Sequence, residues 1–373
     1  MKARTKWIVI AVIVIAFAGY GAYLKTQNEA NGLQQKEIRI GVIAPLTGNF
    51  ALQGERIRNG MELAREELLQ NNISIKIIYE DACIAKDTIP AFTKLTESDN
   101  VSMIGGSFCL AGFVPLIPMA QQKNIIMFNT AKNPSIVLNK SIVFSTNLAI
   151  EQDSEFQARF AADNISAKTS VIIYYTTPFG QDFAKYIPIY FEQYGGKILS
   201  SQQVELSATD FRTELTKIKE LKPDVIFAVH LSNSLGNLIK EARELGINST
   251  IISNSEAEDP SVIAAAGDAS EGFVISSSEP EVKSAAAIEF ESKYKERFND
   301  SPNPIASNAY DSLKIQALVY EKCNGLTECM KKELHKISGY EGASGTITIR
   351  EDGSSYKPLL MKIVRNGTFV RYP

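Results

Sequence analysis

The chain has 373 residues, 45% of them hydrophobic and 22% charged, and a net charge of −3. That balance supplies enough apolar material for two cored domains. It argues against a nucleic-acid partner, because phosphate binding needs clustered Lys and Arg and no large basic block lies beyond the N-terminus. The two histidines, His230 and His335, are far apart and share no metal-type spacing with the cysteines, so neither a metal nor a cofactor is expected.

The first 31 residues differ in kind. Lys2, Arg4 and Lys6 precede an apolar run that starts at Trp7, and apolar or small residues continue to Leu24. A basic flank followed by an apolar stretch is a secretory signal or a membrane anchor. Residues 7–24 would measure about 27 Å as a helix, just enough to cross a bilayer. Ala16-Phe17-Ala18 fits a small-residue cleavage site. A cleaved signal and a retained anchor both stay open. No cysteine precedes Cys83, so a lipid-bearing N-terminal cysteine is excluded. Residues 32–36 read as a tether, and everything from residue 37 onward is expected outside the cytoplasm.

From residue 38, strand and helix patterns alternate. Ile38–Ala44 is β-rich and closed by Pro45, and Glu55–Gln70 carries Ile57, Met61, Ala64 and Leu68 on one helical face. A strand is expected over Ile73–Tyr79, a helix over Asp87–Glu97, and a strand over Val101–Ile104 ending at Gly105-Gly106. A helix over Phe113–Lys123 and a strand over Asn124–Met127 follow. The pattern restarts with helix Glu151–Asn164, strand Ser170–Tyr175, helix Asp182–Tyr194 and strand Lys197–Val204. Helix Phe211–Leu221, strand Asp224–Val229 and helix Leu235–Leu245 complete the second unit. Two more helices, Val282–Phe298 and Ala306–Lys322, flank the turn Ser301–Pro304. Strands alternating with helices indicate parallel βαβ units, here in two successive sets.

Cys83 and Cys109 each follow an expected strand at the same end of one sheet, so a disulfide is within reach and export would permit it. The alternative is two buried thiols. Cys323 and Cys329 flank a short loop and could close a second, local bond. No nucleophile elbow, phosphate-binding loop or dinucleotide fingerprint occurs. Glu80 and Asp81 are adjacent on a strand and point to opposite faces, which does not suit an acid/base pair. An enzyme is therefore not expected.

Taken together, IRIGVIAPLTGNFALQGERIRNGMELA (38–64), YEDACIAKD (79–87), MIGGSFC (103–109), NTAKNP (129–134), TTPFGQDFA (176–184), AAGDASEGF (265–273) and AYDSLKIQAL (309–318) resemble the leucine/isoleucine/valine-binding proteins. These are the type I periplasmic binding proteins of branched-chain amino acid ABC transporters. The resemblance implies an α/β fold of two doubly wound parallel-sheet lobes joined by three crossovers near residues 145, 277 and 348. The first lobe would take 37–145 and 278–348, the second 146–277 and 349–373. It also implies a disulfide between Cys83 and Cys109.

The resemblance further implies a ligand site, and the chain departs from the family pattern within it. Leu110, followed by Ala111, stands where a ligand-binding Ser is usual. Thr130 occupies the position of a carbonyl donated to the ligand, and Lys132 replaces a Thr. Gln53, with Phe50 close by, replaces an aromatic residue. Phe179 and Leu231 replace tyrosines. The acid that would pair with a ligand ammonium falls at Ser255 or, with a one-residue shift, at Glu256. Lys132 would either meet a ligand carboxylate, point to solvent or pair with a structural acid. The expected function is capture of a branched-chain or related amino acid, or another small carboxylate or amide, for an ABC permease. A membrane-tethered sensor of the same fold is the alternative.

Overall fold

A computed structural model describes residues 37–133, 142–230, 232–278 and 283–373. The expected leader and tether, and Leu231, lie outside these residues. Two parallel sheets organise the chain. The first is built from β1 (Ile38–Ala44), β2 (Ile75–Asp81), β3 (Met103–Ser107), β4 (Ile126–Asn129) and β5 (Val143–Ser145), in the order β2-β1-β3-β4-β5. β1, β3 and β4 are almost wholly buried, which is why their sequences are continuous apolar or small runs rather than alternating ones. β3 carries a one-residue bulge: Ile104 pairs with Met127, but Ser107 pairs with Asn129. Gly106, at φ 70°, supplies the left-handed backbone that this bulge requires.

Helix α1 (Ala51–Gln70) buries Ile57, Met61, Ala64 and Leu68, the face its periodicity indicates. Helix α2 (Ala85–Thr93), the short α3 (Leu110–Phe113) and α4 (Ile117–Lys123) complete the connections of this sheet.

The second sheet comprises β6 (Thr169–Tyr175), β7 (Lys197–Val204), β8 (Val225–Val229), β9 (Thr250–Ser253) and β10 (Val274–Ser277), with β14 (Leu360–Arg365) and β15 (Thr368–Arg371) from the end of the chain. Its order is β7-β6-β8-β9-β10-β14-β15, parallel as far as β10 and antiparallel at β14 and β15. Its helices are α5 (Ile150–Asp163), α6 (Pro178–Gln193), α7 (Arg212–Leu221), α8 (Ser232–Glu244) and α9 (Pro260–Ala266). Helix α6 begins four residues before the apolar periodicity does. Pro178 takes the first helical position and the Thr177 hydroxyl accepts from Gly180 N at 3.2 Å.

The chain then returns to the first sheet with α10 (Ala285–Phe298), α11 (Pro304–Cys323) and α12 (Thr327–Leu334). The expected turn at Ser301–Pro304 becomes the start of α11, because Asn303 caps Ala306 N at 3.1 Å and Pro304 follows it. Helix α11 packs along α1 so closely that a Cβ on Gly60 would fall on the carbonyl oxygen of Ala306. A small antiparallel sheet of β11 (Tyr340–Gly342), β12 (Gly345–Ile349) and β13 (Ser355–Tyr356) lies beside the passages between the two large sheets.

Each large sheet with its helices forms one lobe. Among the described residues the chain crosses between lobes after Ser145, after Ser277 and between Ile349 and Leu360. The first and third crossings are bonded to each other: Ser145 N donates to Gly353 O at 3.0 Å and Ser355 Oγ to Ser145 O at 2.7 Å. Lys357, also buried here, donates to Asn308 Oδ1 at 2.8 Å and Ser344 Oγ at 2.6 Å.

Cys83 is bonded to Cys109, and Cys323 to Cys329, with sequence separations of 26 and 6. On loop-closure entropy the longer bridge is worth about 3.5 kcal/mol and the shorter about 2 kcal/mol. Replacing Cys83 and Cys109 by Ser should therefore lower unfolding free energy more than the same change at Cys323 and Cys329, as read by denaturant titration. Gly60→Ala should cost about 2 kcal/mol in the same assay, because the α1–α11 backbone contact must open.

Candidate functional site

In both large sheets the strand order places β1 beside β2 and β3, and β6 beside β7 and β8. The connections on the two sides of β1, and of β6, run in opposite directions. Such switch points leave a crevice beyond the carboxyl ends of the strands. The two crevices face each other across the interlobe cleft. They enclose a cavity of about 270 Å³. From the first lobe, Phe50 (after β1), Ile84, Phe108, Leu110, Ala111 and Ala131 line it; from the second, Tyr175, Thr176, Thr177, Phe179, Leu206 and Glu256 do. The Cys83–Cys109 bridge forms part of the wall and ties the loops after β2 and β3 together.

The wall is mostly apolar. Phe50 meets Phe108 edge to face, with centroids 5.9 Å apart. Phe179 stacks on Tyr175 at 6.2 Å and leans on Phe183 at 5.1 Å. His230 is buried between Tyr175 and Phe211, its ring edge-on to both at 5.2 and 5.4 Å. The lining hydroxyls have protein partners: Thr176 donates to Val204 O at 3.0 Å, and Thr177 caps α6.

Glu256 is the exception. It sits in a single turn, Ser255–Ala257, fixed by Asn254, whose side-chain oxygen accepts from Glu256 N at 2.8 Å. Glu256 is 5% exposed; its carboxylate faces the Lys132 backbone N–H, and neither oxygen has a partner at full hydrogen-bond geometry. Burial drives its pKa up to about 7 against the Lys132 ammonium, which holds it down; Asp153 adds to the rise. Burial and the Glu256 charge also push the Tyr175 phenol well above its ordinary range.

Lys132 lies behind Glu256 and is fully buried. Its ammonium is 2.7 Å from Asp153 Oδ2 and donates to Ser255 Oγ at 2.7 Å. Asp153, in the first turn of α5, also accepts from Gln157 Nε2 at 3.0 Å and from Ser276 Oγ. Lys132 thus belongs to the first lobe and its partners to the second. The loop around it is largely self-satisfied. Thr130 N donates to Ser107 O at 3.0 Å and Thr130 O accepts from Asn147 Nδ2 at 3.2 Å. Ala131 N donates to Asn129 Oδ1 at 2.7 Å, and Ala131 O accepts from Asn133 Nδ2 at 3.1 Å.

Of the residues singled out in the sequence, Leu110, Ala111, Phe179 and Glu256 line the cavity. Thr130, Lys132 and Ser255 are buried next to it, and Gln53 is buried in α1 while Phe50 faces the cavity. Asp153, Phe108, Tyr175 and Leu206 escaped notice. Asp153 carried a signal: it stands three residues after Ile150 and four before Gln157, on the buried face of α5.

The sequence of residues 37–367 matches the family model described as periplasmic binding protein. The chain belongs to the periplasmic binding protein family. A relative, the leucine-, isoleucine-, valine-, threonine- and alanine-binding protein of Pseudomonas aeruginosa, is 21% identical, covering 95% of this chain and 94% of its own. The fold is shared with the leucine-binding protein LivK of Thermotoga maritima, at 22% identity and a TM-score of 0.83, over 90% of this chain and 98% of the other. It is also shared with an ABC-transporter solute-binding protein of Rhodopseudomonas palustris BisB5 crystallised with 3,4-dihydroxybenzoic acid. That pair is 24% identical with a TM-score of 0.81, over 90% of this chain and 95% of the other. This periplasmic binding protein is a solute-binding protein and not an enzyme, and its place is outside the cytoplasm. Among the described residues no helix is long and apolar enough to cross a membrane.

The raised pKa of Glu256 has a definite sign for stability. The folded state holds its proton up to about pH 7, whereas an ordinary glutamate loses it near 4.5. The carboxyl therefore favours the fold fully below about pH 4.5 and loses that contribution as pH rises through 7. Glu256→Gln should raise the melting temperature of the ligand-free binding protein at pH 8 and change it much less at pH 4.5, as measured by differential scanning calorimetry.

Proposed function

We propose that the protein captures a small, largely apolar solute bearing an amino group, of the branched-chain amino acid type, and presents it to the permease of an ABC importer. One observation carries this reading: among the described residues that line the cavity between the two lobes, Glu256 is the one carboxylate in a mostly apolar wall, and it meets only the Lys132 backbone N–H and the field of the Lys132 ammonium. A buried charge of that kind is costly until a countercharge joins it, and an ammonium on the solute supplies one. The apolar rings then cover the rest of the molecule. Closure follows from contacts made to both lobes at once, because such a ligand favours the closed population. The names of the relatives support the amino-acid class. In this reading the N-terminal segment directs export; if removed it leaves the protein free outside the cytoplasm, and if retained at residues 7–24 it anchors the protein at the outer face of the membrane.

A thermal-shift screen of the purified protein against amino acids, amines, short carboxylates and amides tests it. Leucine-like amino compounds should raise the melting point in a dose-dependent way, by the equivalent of about 2.7 kcal/mol at a hundred times Kd. Glu256→Gln should weaken that binding by about a hundredfold or more, since it removes the countercharge. Stabilisation by carboxylates alone, unaffected by Glu256→Gln, would refute the proposal.

A further inference from the structure

Resting on that reading of the cavity, we infer that the second lobe reads the head group of the solute: Glu256 takes its ammonium, while the Tyr175 and Thr177 hydroxyls and the Phe179 N–H at the start of α6 take its carboxylate. The polar lining is one-sided. Among the described residues that line the cavity, the polar side chains are Tyr175, Thr176, Thr177 and Glu256, all of the second lobe. The first lobe contributes Phe50, Ile84, Phe108, Leu110 and two alanines, with the Cys83–Cys109 bridge. Leu110 has no hydroxyl to offer, and the Lys132 ammonium is held by Asp153 and Ser255. What the first lobe adds is backbone: the first-turn N–H groups of Leu110 and Ala111.

The donors at the start of α6 can be counted. Pro178 has no N–H. Gly180 N is capped by Thr177 Oγ1 at 3.2 Å, and Gln181 N donates to Thr177 O at 2.9 Å. The Phe179 N–H is left over, at the positive end of a 16-residue helix, where an anion is favoured. Thr176 is spent on Val204 O and Gln203 Nε2. The Thr177 hydroxyl is also bonded to the Tyr175 phenol. Two hydroxyls joined by one hydrogen bond keep one O–H unspent, whichever of them donates. Neither Glu256 oxygen receives it. Burial, and then the Glu256 charge, keep the phenol protonated, so this donor persists through neutral and mildly alkaline pH. Glu256 is thus within electrostatic reach of Tyr175, and the ammonium and carboxylate of an α-amino acid flank a single carbon. An ammonium on Glu256 carries the carboxylate toward the start of α6 and leaves the side chain to the apolar first lobe.

Isothermal titration at pH 8 with matched pairs tests this: leucine against isoamylamine, and phenylalanine against phenethylamine. In the wild-type protein the amino acid of at least one pair should bind about tenfold or more tightly than its amine. Tyr175→Phe combined with Thr177→Val, which removes both hydroxyls, should weaken that amino acid by about tenfold or more and its amine by less than about threefold. Thr177→Ser, which keeps the hydroxyl and the cap, should hold the wild-type ratio. Loss of the cap alone lowers the melting temperature of the double variant without moving the ratio of amino acid to amine, so the ratio separates recognition from a structural role. A ratio unchanged in the double variant, as expected if the Leu110 and Ala111 N–H groups carry the carboxylate, would overturn the inference and leave the proposed function standing. Amines that bind as tightly as their amino acids would do the same. Absence of binding by amino acids and amines alike would overturn both.

Discussion

The contact between Lys132 and Asp153 sets the terms for the rest of the molecule. It joins a loop of the first lobe to a helix of the second, and both side chains are fully buried. A buried ion pair contributes little net stability over an apolar pair of the same size, because each charge has been taken out of water. Removing one partner is a different matter, since the survivor is then stranded. The pair is better understood as a device that fixes register. It forms only when the loop after β4 and the start of α5 are in one relative position, and Ser255, Ser276 and Gln157 complete the same arrangement.

That arrangement also fixes the surroundings of Glu256. Glu256 is held in place by Asn254 on one side and electrostatically restrained by Lys132 on the other. The cation moderates the carboxyl without neutralising it, which leaves a group that titrates near neutral pH inside an apolar enclosure. The backbone groups of Thr130 and Ala131 are taken up locally, whereas Ser107 Oγ, Asn129 Nδ2 and Asn133 Oδ1 are buried without a hydrogen-bond partner. In the proposed function the Glu256 carboxyl supplies the charge that meets the solute, and Phe50, Phe108, Phe179 and Leu206 supply the shape.

Much of the fold was legible because its signals are local. β1, β6 and β8 are short β-branched runs with turn residues on either side, and α1 and α5 carry apolar stripes with helical spacing. β9 and β10 were not recognised: four residues each, Thr250–Ser253 and Val274–Ser277, are too short for a period to show. The β14–β15 hairpin was also passed over, although Asn366-Gly367, with φ of 51° and 71°, is a turn signal written in the sequence. At the site, the resemblance led to Leu110, Ala111, Phe179 and Glu256. It offered Ser255 and Glu256 as alternatives for one role, and the structure gives each a different task. Ser255 bonds Lys132, while Glu256 faces the cavity.

The sequence by itself determined the class of the protein: two alternating α/β units, a cysteine pair at one end of a sheet and an order of segments shared with a known family. Each of these is a property of neighbouring residues or of their spacing, so it survives without coordinates. Only the tertiary structure decided what Lys132 does. Its partner is 21 positions along the chain, across the first passage between the lobes, and no periodicity links the two. A lysine in a loop after a strand is equally compatible with solvent, with a ligand and with a buried acid. The choice among them is made by distance and burial.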